Sequence, residues 1–457
     1  MRRGASIKAA LGALTAAVLL AAAPGSAGAS VGNFAMAVQP NGKIVVAGGS
    51  GRVGGAASGT EFGAVVRFKR DGSIDRRFGD GDGVALIREM KPFTAIALQP
   101  DGRIVLTAEA AGKGGLARLL PDGHLDGNFG FAGIIAPGAS SAWFPTSVGI
   151  GGDGAIYVGG MTGYLNDPGE HWYGSLYRVE SGGLSGEWVG SMTSREGLPG
   201  EPKTYLNDFV FGPGGTVVGA GWLAARQPGA RTQAVLARML PATTSAGLAT
   251  GPDPSFGGGA GLVTSNFFPP SPETANALSQ DRGKLLIAGQ SGGKLLLARY
   301  SAGGILDTRF GRGGAFVSGG GRAGEAEANA LAVQRRGGIF AAGGSAYGCG
   351  GKQCEGLLLT RHKQNGKLDR RFGGDGVLTP RVETRVYGTP ATEVAYDLAA
   401  QGQDKVLVGG LVSGPGSSRF FLRRYLEDGR PDPSFGDRGR LTVLPLVAGT
   451  PVPGSGR

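Results

Sequence analysis

Short apolar runs, each closed by glycine and followed by a turn dipeptide, recur along the chain from about residue 35 onward. In the first copy Ala37-Val38 leads into Gln39-Pro40-Asn41-Gly42, and Lys43-Ile44-Val45-Val46-Ala47-Gly48-Gly49 follows. Val66-Arg67-Phe68 then passes through Asp71-Gly72 to Asp75-Arg76-Arg77-Phe78-Gly79. Asn-Gly and Asp-Gly between apolar runs favour a tight hairpin turn, since its central positions need torsions that glycine and asparagine reach at little cost. Four short antiparallel strands per copy are predicted. The first turns fall at Gly42, Gly102, Gly154, Gly215, Gly283, Gly337 and about Gln403, a step near 60 residues. Helical periodicity is confined to the apolar stretch Ala9–Ala23.

Each copy alone would expose an apolar face that only its neighbour can bury, so the repeat specifies architecture before chemistry. Seven small antiparallel sheets are best closed into a ring, which leaves few open strand edges; an open solenoid would carry distinct polar caps, and none is evident. The expected fold is all-β, a seven-bladed β-propeller of four-stranded antiparallel blades after an N-terminal signal helix. The domain plan is a signal peptide over 1–29, a propeller over 30–444 with blades starting near 35, 95, 147, 208, 275, 330 and 396, and a tail over 445–457.

The recurring residues resemble the delta-60 repeat family of bacterial β-propellers, in Ala97-Leu98-Gln99-Pro100-Asp101-Gly102-Arg103-Ile104-Val105 and again in Leu306-Asp307-Thr308-Arg309-Phe310-Gly311. The resemblance covers essentially the whole repeat region and implies a secreted propeller with no agreed activity. Copies three and four depart most. Ser185 and Trp188 stand where aspartate and phenylalanine are expected, and extra residues separate Arg238 from Asp253.

Arg2, Arg3 and Lys8 precede the short apolar stretch, and Ala27-Gly28-Ala29 offers small residues for cleavage, so export with Ser30 as the new first residue is expected. The anticipated location is extracellular, with no transmembrane segment after signal removal. Glycine, 90 of 457 residues, sits between strand-like runs without a collagen triplet and therefore marks turns. A formal charge of +11 is scattered over the repeats without a long basic run, which argues against nucleic-acid binding. The only two cysteines, Cys349 and Cys354, lie in one glycine-rich loop and are read as a loop-closing disulfide.

All seven copies carry an arginine on the third strand: Arg67, Arg118, Arg178, Arg238, Arg299, Arg361 and Arg424. In five, an aspartate follows eight residues later, giving Arg67 with Asp75, Arg118 with Asp126, Arg299 with Asp307, Arg361 with Asp369 and Arg424 with Asp432. A fixed offset across a tight turn brings such side chains together, so these are expected to be structural ion pairs of the scaffold. The phenylalanine of each Asp-x-x-Phe-Gly is expected to fill the space between blades. Acidic turns such as Asp80-Gly81-Asp82 match no calcium-loop spacing, and no cofactor or metal is expected.

Only three histidines occur, and no nucleophile elbow, zinc signature or phosphate loop is present. His124 and His362 occupy repeat positions; His171 does not. In an up-and-down blade the short, uniform turns share one face, while the connections of variable length share the other, where recognition on a rigid scaffold usually lies. The third copy adds aromatic and polar residues there that the repeat does not require. Trp143, Tyr164, Asn166, His171, Trp172 and Tyr173 form the candidate ligand site. The functional expectation is a monomeric, non-catalytic binding or scaffold module for an extracellular glycan, cell-wall polymer or protein. The alternative is a carbohydrate-active lyase or hydrolase with its site on that same face.

Overall fold

Alternate residues of one strand disappear into different cores, which explains why the repeat is apolar on consecutive positions. In Lys294–Ser301, Leu296 and Ala298 join a buried cluster with Leu236 and Phe256 of the preceding sheet, whereas Leu295 and Leu297 join one with Leu331 and Ile339 of the next. A sheet covered on both faces needs apolar residues on both. The computed structural model describes residues 34–49, 62–110, 113–136, 141–164, 172–183, 186–192, 203–224, 231–240, 252–259, 261–269, 271–318, 324–349, 352–380, 385–386, 389–402, 404–414 and 417–443. The expected signal segment lies outside them.

Seven four-stranded antiparallel sheets, each built from consecutive strands, follow one another along the chain. In blade one the strands are Phe34–Val38, Ile44–Gly49, Gly63–Phe68 and Val84–Ile87. The first strands of blades two to seven are Ala95–Leu98, Ser141–Ile150, Lys203–Phe211, Glu273–Asp281, Ala326–Val333 and Thr392–Gln401. A separate two-stranded hairpin, Arg385–Val386 with Thr389–Pro390, precedes blade seven. The all-β ring of seven four-stranded blades is as the repeat predicts. Among the described residues the only helical elements are two three-residue 3-10 turns, Pro213–Gly215 and Phe256–Gly258, and no helix is long and apolar enough to cross a membrane.

The first strands face one another around the ring axis, and a chain of side-chain bonds joins them. In blades three to seven this strand carries a β-bulge whose extra residue is Thr146, Asn207, Asn276, Asn329 or Tyr396. Thr146 Oγ1 donates to Leu206 O at 2.6 Å, Asn207 Nδ2 to Ala275 O at 2.9 Å, Asn276 Nδ2 to Ala328 O at 3.1 Å and Asn329 Nδ2 to Ala395 O at 3.1 Å. Thr94 of blade two likewise donates to Pro145 O at 3.0 Å. Each bulge frees a backbone carbonyl from its own ladder, and the preceding blade's side chain satisfies it.

Among the described residues closure takes place without strand exchange. Blade seven is complete with Arg440–Val443 as its outermost strand, and blade one starts with its own innermost strand. Phe34, Met36, Ile44 and Val46 pack with Leu407, Phe420, Leu422 and Phe435 in one buried cluster that also takes Leu441, and Met36 N donates to Asp397 Oδ2 at 2.7 Å.

Candidate functional site

The ring has two unlike faces, and the short-turn face holds the repeated charges. Arg67 Nε donates to Asp75 Oδ2 at 2.7 Å, Arg118 Nε to Asp126 at 2.9 Å, Arg299 Nε to Asp307 at 3.0 Å and Arg424 Nε to Asp432 at 2.7 Å. Arg238 reaches Asp253 at 2.8 Å although the two are fifteen residues apart in sequence. The sixth copy differs. Arg361 Nε lies 3.6 Å from Asp369, whose carboxylate is held instead by Arg371 at 3.0 Å.

Each of these arginines also crosses to the next blade. Its Nη1 donates to a backbone carbonyl there: Arg67 to Pro121, Arg118 to Ser181, Arg238 to Ala302 at 3.3 Å, Arg299 to Gln364, Arg361 to Glu427 at 2.5 Å and Arg424 to Arg70 at 2.5 Å. In five of the six the guanidinium lies over the motif phenylalanine, at 4.6 Å for Arg67 on Phe78, 4.3 Å for Arg118 on Phe129 and 4.5 Å for Arg424 on Phe435, whereas Arg361 lies over Phe340 at 5.5 Å. A glycine of the next blade's turn then covers that ring, and its positive φ with no side chain is required. At Gly123, φ +102°, a Cβ would sit 2.7 Å from Gly79 N and 2.9 Å from Phe78.

The carboxylates in these joints are held as anions. Burial opposes the charge of Asp75, but Lys43 and Arg67 outweigh it and keep its carboxyl below the usual range. Lys284 first, then Arg299 against a burial cost, hold Asp307 down to about 2. Charges so engaged serve the joint between blades rather than a ligand.

On the opposite face the structure lines up part of the candidate ligand site. Trp143, Thr162 and Tyr173 occupy one cross-strand row of blade three, and Gly163 pairs with Trp172 in the next row. Trp143 is buried, its ring 5.1 Å from Tyr177, in a cluster with Val148, Ile156 and Val158, and Tyr173 is buried as well. Tyr164 and Trp172 lie at strand ends and the structure describes only their backbone, while Asn166 and His171 fall outside the described residues. Trp188 lies inside the outermost strand, paired with Tyr177, and so does not take the phenylalanine's place in the preceding turn. Cys354 pairs with Tyr347 and Cys349 with Lys352 across one hairpin; the expected disulfide rests on side chains outside those described.

Several groups on this face and along the axis lie outside the repeat consensus. Tyr205 and Trp222, cross-strand neighbours at the loop end of blade four, stack at 3.6 Å with planes 12° apart, and Phe144 of blade three is 37% exposed. Glu327 pairs in register with Gly344, and the Glu355 carboxylate fills the space a Cβ on Gly344 would need. Burial raises both carboxyls, and the Glu327 charge raises Glu355 further. Glu393 accepts both ends of the Arg423 fork at 2.6 and 2.7 Å. Near the axis, Asp208 accepts Leu278 N and Phe209 N, each at 2.8 Å, and burial pushes its carboxyl well above the usual range, with Asp397 adding to the rise. Burial pushes Asp397 up to about 7 against the amides of Met36 and Leu398. An aspartate at the first-strand position where blade two has Ala95 was the available signal for both.

Residues 39–78, 99–129 and 403–435 match the family described as a domain of unknown function (DUF5122) β-propeller. The chain is a β-propeller. No curated protein matches it. Among solved structures it is similar to a protein of unknown function from Dyadobacter fermentans, 12% identical over 88% of this chain and 94% of that one, with a TM-score of 0.40. The periplasmic gluconolactonase of Pseudomonas aeruginosa is 15% identical over 88% of this propeller and 100% of its own chain, with a TM-score of 0.44. An α-L-arabinofuranosidase from Fusarium graminearum is 9% identical over 72% and 91%, with a TM-score of 0.43. Propellers host many unrelated activities, so function has to be argued from the groups on this one.

Proposed function

We propose that this propeller is an exported, non-catalytic module of the delta-60 type that binds an extracellular glycan, cell-wall polymer or protein through its loop-bearing face. One observation carries the reading. The repeated arginines, aspartates and phenylalanines are engaged in joining blades, whereas the stacked Tyr205 and Trp222 and the exposed Phe144 gather at the loop ends of blades three and four. A flat aromatic pair beside a ring face suits a sugar ring or an extended side chain, which stack on π surfaces. The test is an array of glycans and cell-wall polymers probed with the full chain, with Trp222→Ala and Trp172→Ala alongside. Loss of most bound signal in Trp222→Ala, with an unchanged melting temperature, is expected. Absence of any ligand, or binding indifferent to both changes, overturns the site. Export is checked separately by the intact mass of protein recovered from the medium, which should lack residues 1–29.

Glu327 and Glu355 favour a second reading, a lyase or hydrolase acting on an extracellular polysaccharide. Two neighbouring carboxyls with raised proton affinity on one face can divide acid and base roles. Turnover of a polysaccharide panel by the native chain but not by Glu355→Gln would select this reading over the first.

A further inference from the structure

The short-turn face carries an open cavity of about 320 Å³ where blade five meets blade six, walled by Asp281, Arg282, Lys284, Arg299, Arg309, Gln364 and Asn365. Its size is at the lower end for ligand pockets, about 300–1,000 Å³. Lys284 and Arg299 share the single carboxylate of Asp307, and Arg299 also donates to Gln364 O. The other two cations are turned outward. The Arg309 side chain is 85% exposed with Nε 3.6 Å from Asp307, and that of Arg282 is 63% exposed with Nε 3.9 Å from Asp281. Four cations thus face two carboxylates. At the same place in blade six, Arg371 folds back and binds its own aspartate through two nitrogens at 3.0 Å.

The backbone adds an independent observation. Arg282 has φ +50° and Gly283 φ +74°, so the turn joining Glu273–Asp281 to Lys284–Ser291 has two consecutive left-handed residues. Asparagine or glycine ordinarily takes the first of these positions, and an arginine there carries a steric cost against which its side chain sets only the long 3.9 Å contact with Asp281. What the cost does provide is a guanidinium placed on the cavity rim.

We infer that this cavity binds a phosphate or sulfate oxyanion, either free or as the ester of a small sugar. Guanidinium forks offer planar pairs of N–H donors that match tetrahedral oxyanions, and the amides of Gln364 and Asn365 add neutral donors. The inference is independent of the loop-bearing face. Isothermal titration of the full chain in low-salt zwitterionic buffer, with inorganic phosphate, inorganic sulfate, glucose 6-phosphate and acetate, tests it. Saturable binding of phosphate or sulfate is expected, weaker for acetate, with affinity falling about tenfold or more for each arginine removed in Arg282→Gly/Arg309→Ser. Tighter binding of glucose 6-phosphate than of phosphate identifies the ester as the source, and equal or weaker binding the free ion. Glycine relieves the turn, so the double variant should melt no lower than the native chain. Arg309→Glu, on a largely exposed side chain, repeats the test without altering the turn. No saturable binding, equal affinity in these variants, or a response matched by sodium chloride at the same ionic strength overturns the inference.

Discussion

Arg424 bonds Asp432 within its own blade, lies over Phe435 and donates to Arg70 O of the first blade. Both side chains of the pair are almost wholly buried, at 4% and 3% exposure. Removing one partner of such a pair leaves a buried charge, which costs about 3–5 kcal/mol. Lys405, 2.8 Å from Asp432, moderates this. Arg424→Ala should therefore lower the unfolding free energy toward the lower end of that range in chemical denaturation, whereas Arg371→Ala, on an exposed side chain screened by solvent, should cost clearly less. Equal losses would contradict the interblade role. The Arg–Asp contacts were legible in the sequence because a constant offset of eight residues crosses one turn. Their second bond was not, since a repeat does not reveal which neighbouring carbonyl a free Nη1 meets. The contact between Arg238 and Asp253 escaped the offset because extra residues intervene.

The strands owe their positions to the turn glycines and to apolar burial, and both were plain in the composition of each copy. The bulges were hidden: Asn207, Asn276 and Asn329 look like isolated polar residues until the ring sets each opposite a carbonyl of the next blade. Asn329→Ala should leave Ala395 O without this partner and cost about 1–3 kcal/mol. Thermal unfolding at fixed pH reads this directly, and a loss below about 0.5 kcal/mol, the level of an ordinary surface change, would dismiss the bond as incidental. The candidate aromatic row was only partly legible. Trp143 and Tyr173 do share a row, but an aromatic run in a strand does not disclose which rings the neighbouring blade covers.

Across the whole molecule, buried titratable groups pull stability in opposite directions between about pH 4 and 7. Asp397, at about 7 when folded against a usual 3.8, binds its proton more tightly in the native state. Its contribution is complete below about pH 4 and is lost as pH rises through 7. His362, buried between Thr360 and Gly366 O, is pushed down to about 4 by burial and acts oppositely, with stability lost as pH falls from 6.5 toward 4. Asp397→Ala places in blade seven the alanine that blade two has at Ala95. Its melting temperature should fall further below the native value at pH 5 than at pH 8; a difference independent of pH would show that Asp397 does not titrate in this window.

The joint between blades seven and one repeats the chemistry of the others. Gly436 N donates to Asp71 O at 2.8 Å as Gly373 N donates to Asp428 O at 2.9 Å and Gly311 N to Asn365 O at 2.7 Å. Because no strand among the described residues is borrowed across it, the ring they form has no privileged opening. A circularly permuted chain, with its two ends linked and a new start cut between blades five and six, should fold to the same ring and keep its seven sheets, since every interblade bond survives the change of connectivity.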